Sequence, residues 1–245
     1  VGDVNAALAN PNVEFTSDAH FVGMVQLDVY VDDAGGFGSG TALQDHDAFT
    51  VTVDPVNDAP VMTAPASQTL DEDVETVIAG LSLDDVDSRA NDEPDASVLR
   101  WTVTVTATMG TIHVPVETPD LVLLTGNDAA SVMFRGNLTS LNAAFASYGV
   151  TYTSDANYYG GDTVTIVVDD DGTTGSGGVQ SDTVVVTVTV DPVNDVPTWT
   201  SVPAGFVFED VAATLPATTF TDDALAGDAL SVTLTTSHGG TLELL

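Results

Sequence analysis

The sequence predicts an all-β protein of tandem sandwiches, each carrying one short inserted helix and together arranged as an elongated rod. Three observations carry this reading. They are β-branched runs that alternate between turn signals, an internal repeat with a period of 137 residues, and two near-identical linkers that each hold two prolines. Turn signals divide residues 61–195 into strands expected at 66–71, 76–83, 98–106, 111–114, 121–124, 131–134, 150–153, 162–168 and 182–190. Alternation is clearest at Trp101, Val103 and Val105 and at Val164, Ile166 and Val168, which are expected to face the core. Leu138, Leu141 and Phe145 follow Asn137 with helical spacing and predict the helix.

The repeat rests on more than one phrase. VTVDPVND occupies 51–58 and again 188–195, and residues 4–60 lie on 141–197 without a gap, with 28 identities in 57 positions. LDED at 70–73 returns as VFED at 207–210. The segment therefore reads as an internal excerpt: the C-terminal half of one repeat (1–58), a complete repeat (59–195) and the N-terminal part of the next (196–245). Proline fixes φ, so the linkers Asp54 to Pro60 and Asp191 to Pro197 are expected to be stiff struts.

Composition removes several functions. With 37 acidic residues against 3 Lys and Arg, the formal net charge of -34 leaves no basic footprint for nucleic acid. The chain has no cysteine, so no disulfide or thiolate site stiffens it, and no apolar run approaches a membrane span, so no membrane insertion is expected in this segment. The apolar share of 43%, rich in Val, argues for packed strands against a solvated coil.

Strand direction places the carboxylates. Strand 182–190 runs into the second linker, so its hairpin partner 162–168 runs back and delivers Asp169, Asp170 and Asp171 to the upstream end. Taking 66–71 and 76–83 as a hairpin brings Asp84, Asp85 and Asp87 to the same end, and leaves Glu72, Asp73, Asp155 and Asn157 at the other. Each end thus gathers acids beside an acidic linker, with Asp54, Asn57 and Asp58 at one junction and Asp191, Asn194 and Asp195 at the other. Packed carboxylates repel, and calcium, which takes six to eight oxygen ligands in irregular geometry, suits such a set better than magnesium or zinc.

Other readings of the same residues are weaker. A salt-adapted acidic coat would spread over the surface, whereas these acids concentrate at turns and linkers. The stretch around Asp169-Asp170-Asp171-Gly172 lacks an EF-hand's ligand spacing, and Gly160-Gly161-Asp162 lacks that of calcium-binding nonapeptides. His20, His46, His113 and His238 are scattered with no nucleophile signature, and acid pairs that recur with the linker point to a structural site, so no enzyme is expected. Trp101, Tyr158, Tyr159 and Trp199 are expected in the core or at junctions.

These motifs carry a family resemblance. Asp54-Pro-Val-Asn57-Asp58-Ala-Pro60 resembles the cadherin linker, Asp71-Glu72-Asp73 its acidic motif after the first strand, and Asp85-Val-Asp87 its Asp-x-Asp motif. Asp155-Ala-Asn157 and Val168-Asp169-Asp170 stand where cadherins flank the sixth strand with acids. The linker is one residue longer between its Asp residues than in animal cadherins, and the repeat length and inserted helix are closer to the proteoglycan-type, cadherin-like repeats of giant bacterial adhesins.

The resemblance implies Ig-like Greek-key sandwiches with Ca2+ between successive domains. Its candidate ligands at the first junction are Asp18, Asp54, Asn57, Asp58, Asp85, Asp87, Asp169 and Asp170, with His20, in the place of Asn157, as a possible nitrogen donor. Around and beyond the second linker they are Glu72, Asp73, Asp155, Asn157, Asp191, Asn194, Asp195, Glu209, Asp210, Asp222 and Asp223. The implied role is a calcium-stiffened spacer of an extracellular, cell-surface adhesin or fibre, with neighbouring repeats as partners. The alternatives are a repeat that itself binds other copies or surface glycans, and a self-assembling filament subunit.

Overall fold

Alternating β-branched residues give the middle of the chain its strands, and the strands give it a sandwich. The computed structural model describes residues 4–5, 8, 13–36, 38–89, 101–115, 117–172, 174–201, 205, 217, 219–222 and 231–239. It divides into two units, Val1–Asp191 and Pro192–Leu245.

The first unit opens with a hairpin of β1 (Gly23–Asp32) and β2 (Gln44–Val53). The sandwich follows with β3 (Val61–Thr63), β4 (Ser67–Asp71), β5 (Thr76–Val77), β6 (Ser82–Asp84), β7 (Trp101–Ala107), β8 (Gly110–His113) and β9 (Leu121–Leu123). It is completed by β10 (Ser131–Gly136), a helix at Leu138–Ala143, β11 (Thr151–Ser154), β12 (Gly160–Asp169) and β13 (Ser181–Asp191). One sheet has the order β4-β13-β12-β7-β10-β9, with β4 parallel to β13 and its other pairs antiparallel. Opposite it lie the sheet β5-β11-β8 and the pair β3-β6.

Register explains the core. Val103 faces Phe134 on one neighbour and Val168 on the other, and Val105 likewise faces Val132 and Ile166, so inward residues stack in rows across the sheet. All six are fully buried and join Ile112, Tyr152, Leu141 and Phe145 in one cluster. Each such aliphatic or aromatic side chain contributes roughly 1.5–3 kcal/mol by leaving water.

The helix begins where Asn137 accepts the N–H of Ser140 through its side chain at 2.7 Å, an N-cap that satisfies one orphan donor. Asn142 then binds Leu83 through both N–H and C=O, at 2.9 and 2.8 Å, and ties the helix to β6. At Gly110 a Cβ would stand 2.4 Å from the carbonyl of Thr153, so only glycine admits the β8–β11 approach.

Two expectations need correction. The run 76–83 is not one strand: it breaks at the turn around Gly80 into β5, which pairs with β11, and β6, which pairs with β3. Residues 66–71 and 76–83 therefore form no hairpin, because β4 instead joins β13. Val61–Thr63 forms a further strand ahead of those expected, and residues 98–100 of the expected strand 98–106 lie outside the described residues.

In the second unit β14 (Thr198–Ser201) pairs antiparallel with β15 (Thr219–Thr221), and Trp199 meets Phe220 edge-on at 5.7 Å. Trp199 is exposed, as is Tyr159, so neither is a core residue, whereas Trp101 is buried.

Candidate functional site

The pairing of β3 with β6, and of β12 with β13, brings the acids of two turns to the end of the sandwich where the first linker arrives. After β6 the chain enters a 3-10 turn at Val86–Arg89 carrying Asp87, and after β12 it turns at Asp170. Asp85 and Asp170 are almost wholly buried there, together with Asn57 of the linker.

Each buried carboxylate has internal donors. Asp85 accepts the Trp101 indole N–H at 2.8 Å and the Asp87 N–H at 3.0 Å. Asp170 accepts the Asn57 amide at 2.6 Å on one oxygen, and the N–H groups of Gly172 and Gln180 at 2.8 and 2.9 Å on the other. Asp87 accepts the Asp58 N–H at 2.8 Å and the Thr174 hydroxyl at 3.1 Å through a single oxygen. The same Thr174 proton is shared with Asn57 Oδ1 in a three-centre hydrogen bond.

Their electrostatics is that of crowded anions. Burial pushes the Asp85 carboxyl up from its ordinary value against the Trp101 and Asp87 hydrogen bonds, and the charges of Asp87 and Asp170 push it further. Asp169 is raised by burial and by Asp170, with Arg135 opposing. Arg135 pairs with Asp171, which also accepts the Thr102 hydroxyl at 3.4 Å, so Asp171 turns to the outer face of the sheet instead of the linker.

Not every candidate joins this group. His20 reaches Asp58 through Nδ1 at 2.9 Å, and both are well exposed. Asp18 is exposed, its carbonyl accepting the Phe21 N–H at 3.3 Å, and Asp54 is exposed after β2.

At the opposite end Glu72 is buried, and its N–H binds the Asp191 carbonyl at 3.0 Å. Asp73 receives the Asn157 N–H at 3.2 Å and donates its own N–H to Ser154 Oγ at 3.2 Å, while the Asp155 carbonyl holds Tyr158 N–H at 2.9 Å. Within the second unit Asn194 donates to the Asp195 carbonyl at 3.3 Å, and Asp222 follows β15. Glu209, Asp210 and Asp223 lie outside the described residues.

The donor set at the first linker is all oxygen, anionic and mutually repelling, which fits calcium in chemistry. As placed, its side chains hold one another: among the described residues no group of three or more Asp, Glu or His forms a metal cage.

Thr174, Gln180, Trp101 and Arg135 partner these acids although the charge pattern of the sequence does not mark them. Trp101 had a signal, because a buried indole N–H needs an acceptor. Thr174 had none, since Phe37 holds its place in the other copy.

No protein-family model matches the sequence, and no curated protein does. Among solved structures the chain is similar to a protocadherin gammaB7 EC3-6 cis-dimer, at 17% identity and TM-score 0.36, over 82% of this chain and 43% of that one. It is also similar to the protocadherin gammaB4 extracellular domain, at 16% identity and TM-score 0.32, over 82% and 29%. Against human CDH23 EC21-23 the values are 17% and 0.32, over 73% and 48%. The chain thus spans less than half the length of each of these structures.

Proposed function

We propose that this chain is a spacer of tandem sandwiches from a large extracellular adhesin or surface fibre, with complete repeat 59–195, whose junctions calcium stiffens and which catalyses nothing. One observation carries the reading: Asn57 and Asp58 of the linker are held among Asp85, Asp87 and Asp170 at the head of the sandwich. Repelling acids wrapped around a strut are arranged for a cation to draw them together. Asp85, Asp87, Asp170 and the Asn57 carbonyl would hold calcium, which supplies positive charge and oxygen coordination. By repetition Asp191, Asn194 and Asp195 are proposed to serve the next junction in the same way. Among the described residues no helix is long and apolar enough to cross a membrane.

The test is calorimetric calcium titration with thermal unfolding in calcium and in chelator, on the full chain and on Asp87→Asn. Saturable binding at about 0.1–1 mM, weakened by the substitution, is expected. An ion that binds only the ordered junction stabilises by mass action, about 2.7 kcal/mol at a hundred times Kd. No heat and no shift in Tm at millimolar calcium would remove calcium from the reading.

A second reading has an observation of its own. Trp199 and Phe220 form an edge-on pair with the indole exposed, a surface on which a sugar ring could stack. Glycan binding lost in Trp199→Ala would make the repeat itself adhesive.

A further inference from the structure

The first linker is held by a second device, built on backbone pairing with the loop that follows β12. Val56 and Ser176 form a parallel bridge. The Asn57 N–H donates to the Ser176 carbonyl at 2.8 Å, and the Ser176 N–H donates to the Pro55 carbonyl at 3.1 Å. The Asn57 amide also donates to the Gly178 carbonyl at 3.0 Å, and its oxygen accepts from Thr174. Pro55 is thereby read by its carbonyl and Asn57 by its N–H and both ends of its side chain. Val56 is 63% exposed and is not read at all.

The loop is cut to this strand. A Cβ on Gly175 would stand 2.7 Å from the Pro55 carbonyl oxygen, and one on Gly177 3.6 Å from that of Asn57, with φ at +152° and +128°. The same Gly-Ser-Gly recurs 137 residues earlier as Gly38-Ser39-Gly40. There a Cβ on Gly38 or Gly40 meets nothing within 4 Å among the described residues. The contrast assigns the crowding at Gly175 to the linker strand, and the recurrence marks the tripeptide as a part of each repeat.

We propose that the Gly175-Ser176-Gly177 loop is a peptide-binding clasp that recognises an extended Pro-x-Asn strand by backbone pairing and needs no metal. Its ligand here is Pro55-Val56-Asn57, and Pro192-Val193-Asn194 carries the same phrase. The clasp acts on the linker of the proposed spacer, but the two ideas fail separately: calcium titration decides one and loop substitution the other.

The experiment is amide hydrogen exchange on the full chain, in calcium and in chelator, with Ile166 as an internal standard for the fold. The Asn57 N–H is expected to stay protected about a hundredfold in chelator. That protection should fall at least about tenfold in Ser176→Pro, which lacks the donor to Pro55, and in Asn57→Ala, while Val56→Ala keeps it. Should Ser176→Pro also expose Ile166, Gly175→Ala, whose Cβ would stand 2.7 Å from the Pro55 carbonyl oxygen, decides alone. Protection that vanishes in chelator overturns the clasp, as does protection that survives Gly175→Ala.

Discussion

Two hairpins in this chain share one blueprint and differ in their surroundings. β1 and β2 pair Gly23 with Val53 through Asp32 with Gln44, and β12 and β13 pair Gly160 with Val190 through Asp169 with Ser181. The match extends to backbone angles: His20 and Asn157 lie at φ 59° and 55°, Ala34 and Asp171 at 54° and 57°, Gly35 and Gly172 at 65° and 63°. Burial is where they part. Ile166 and Val168 are fully buried between β7 and β13, whereas Val29 and Val31, in the same places, are 48% and 59% exposed. Turn chemistry and cross-strand pairing thus set a hairpin's form locally, while the neighbouring strands supply its burial.

The largest way to break this comparison is at Asp162, which faces Val188 inside the complete sandwich and stands where the first hairpin has Val25. Its carboxylate accepts the N–H of Thr108 and Met109 at 3.2 and 2.9 Å and the Tyr152 hydroxyl at 2.9 Å. Asp162→Val, which installs the other hairpin's residue, is expected to cost about 4 kcal/mol by stranding these donors, measured by urea unfolding. Burial alone raises the Asp162 carboxyl, but hydrogen bonds from Met109, Thr163, Tyr152 and Thr108 outweigh it and hold the group below its ordinary value. The stability it contributes is therefore complete above the unfolded carboxylate range and is lost as pH falls through the depressed folded pKa, so the substitution should flatten the acid limb of unfolding. An unchanged acid limb would place the acid sensitivity elsewhere.

Next comes Ile166→Ala against Val29→Ala. The first opens a cavity in the core and should cost about 3 kcal/mol. The second removes a half-exposed side chain and should cost less than about 1 kcal/mol. Equal losses in thermal unfolding would mean that the first hairpin is as well covered in solution as the second.

Asp85 sharpens the comparison through pH. Burial raises it, so the folded state favours its proton; it weakens the fold in full above its raised pKa, and the penalty is relieved as pH falls from there to the unfolded carboxylate range, opposite to Asp162. Metal must compete with that proton, so calcium affinity should fall as the solution is acidified toward the raised Asp85 value, and calorimetry across a pH series checks it. The smallest effect is expected for His20→Ala, whose exposed contact with Asp58 should contribute less than about 0.5 kcal/mol.

Much of the sandwich was legible because alternation reports burial directly. Val103, Val105, Val164 and Ile166 could be assigned inward from their neighbours alone. The run 76–83 looks like one strand because its apolar residues, Val77, Ile78, Leu81 and Leu83, follow closely, while the partners that separate β5 from β6 come from β11 and β3. The same limit governed the site. Charge marked Asp85, Asp87 and Asp170, but what holds them is a set of donors far off in sequence, such as Asn57 on Asp170 across 113 positions. Composition predicts where acids gather, and only the assembled chain decides which donor each receives.

The parallel pairing of β4 with β13 also determines how the sandwich would respond to force. β4 is the first strand of its sheet after one linker, and β13 runs straight into the next, side by side from Thr187 opposite Ser67 to Asp191 opposite Asp71. Tension applied through the two linkers pulls these neighbours past each other along their length, loading their hydrogen bonds together in shear instead of unzipping them singly. A ladder loaded this way yields only when several bonds break at once, so this pairing would take up tension in a domain that has no disulfide to do so.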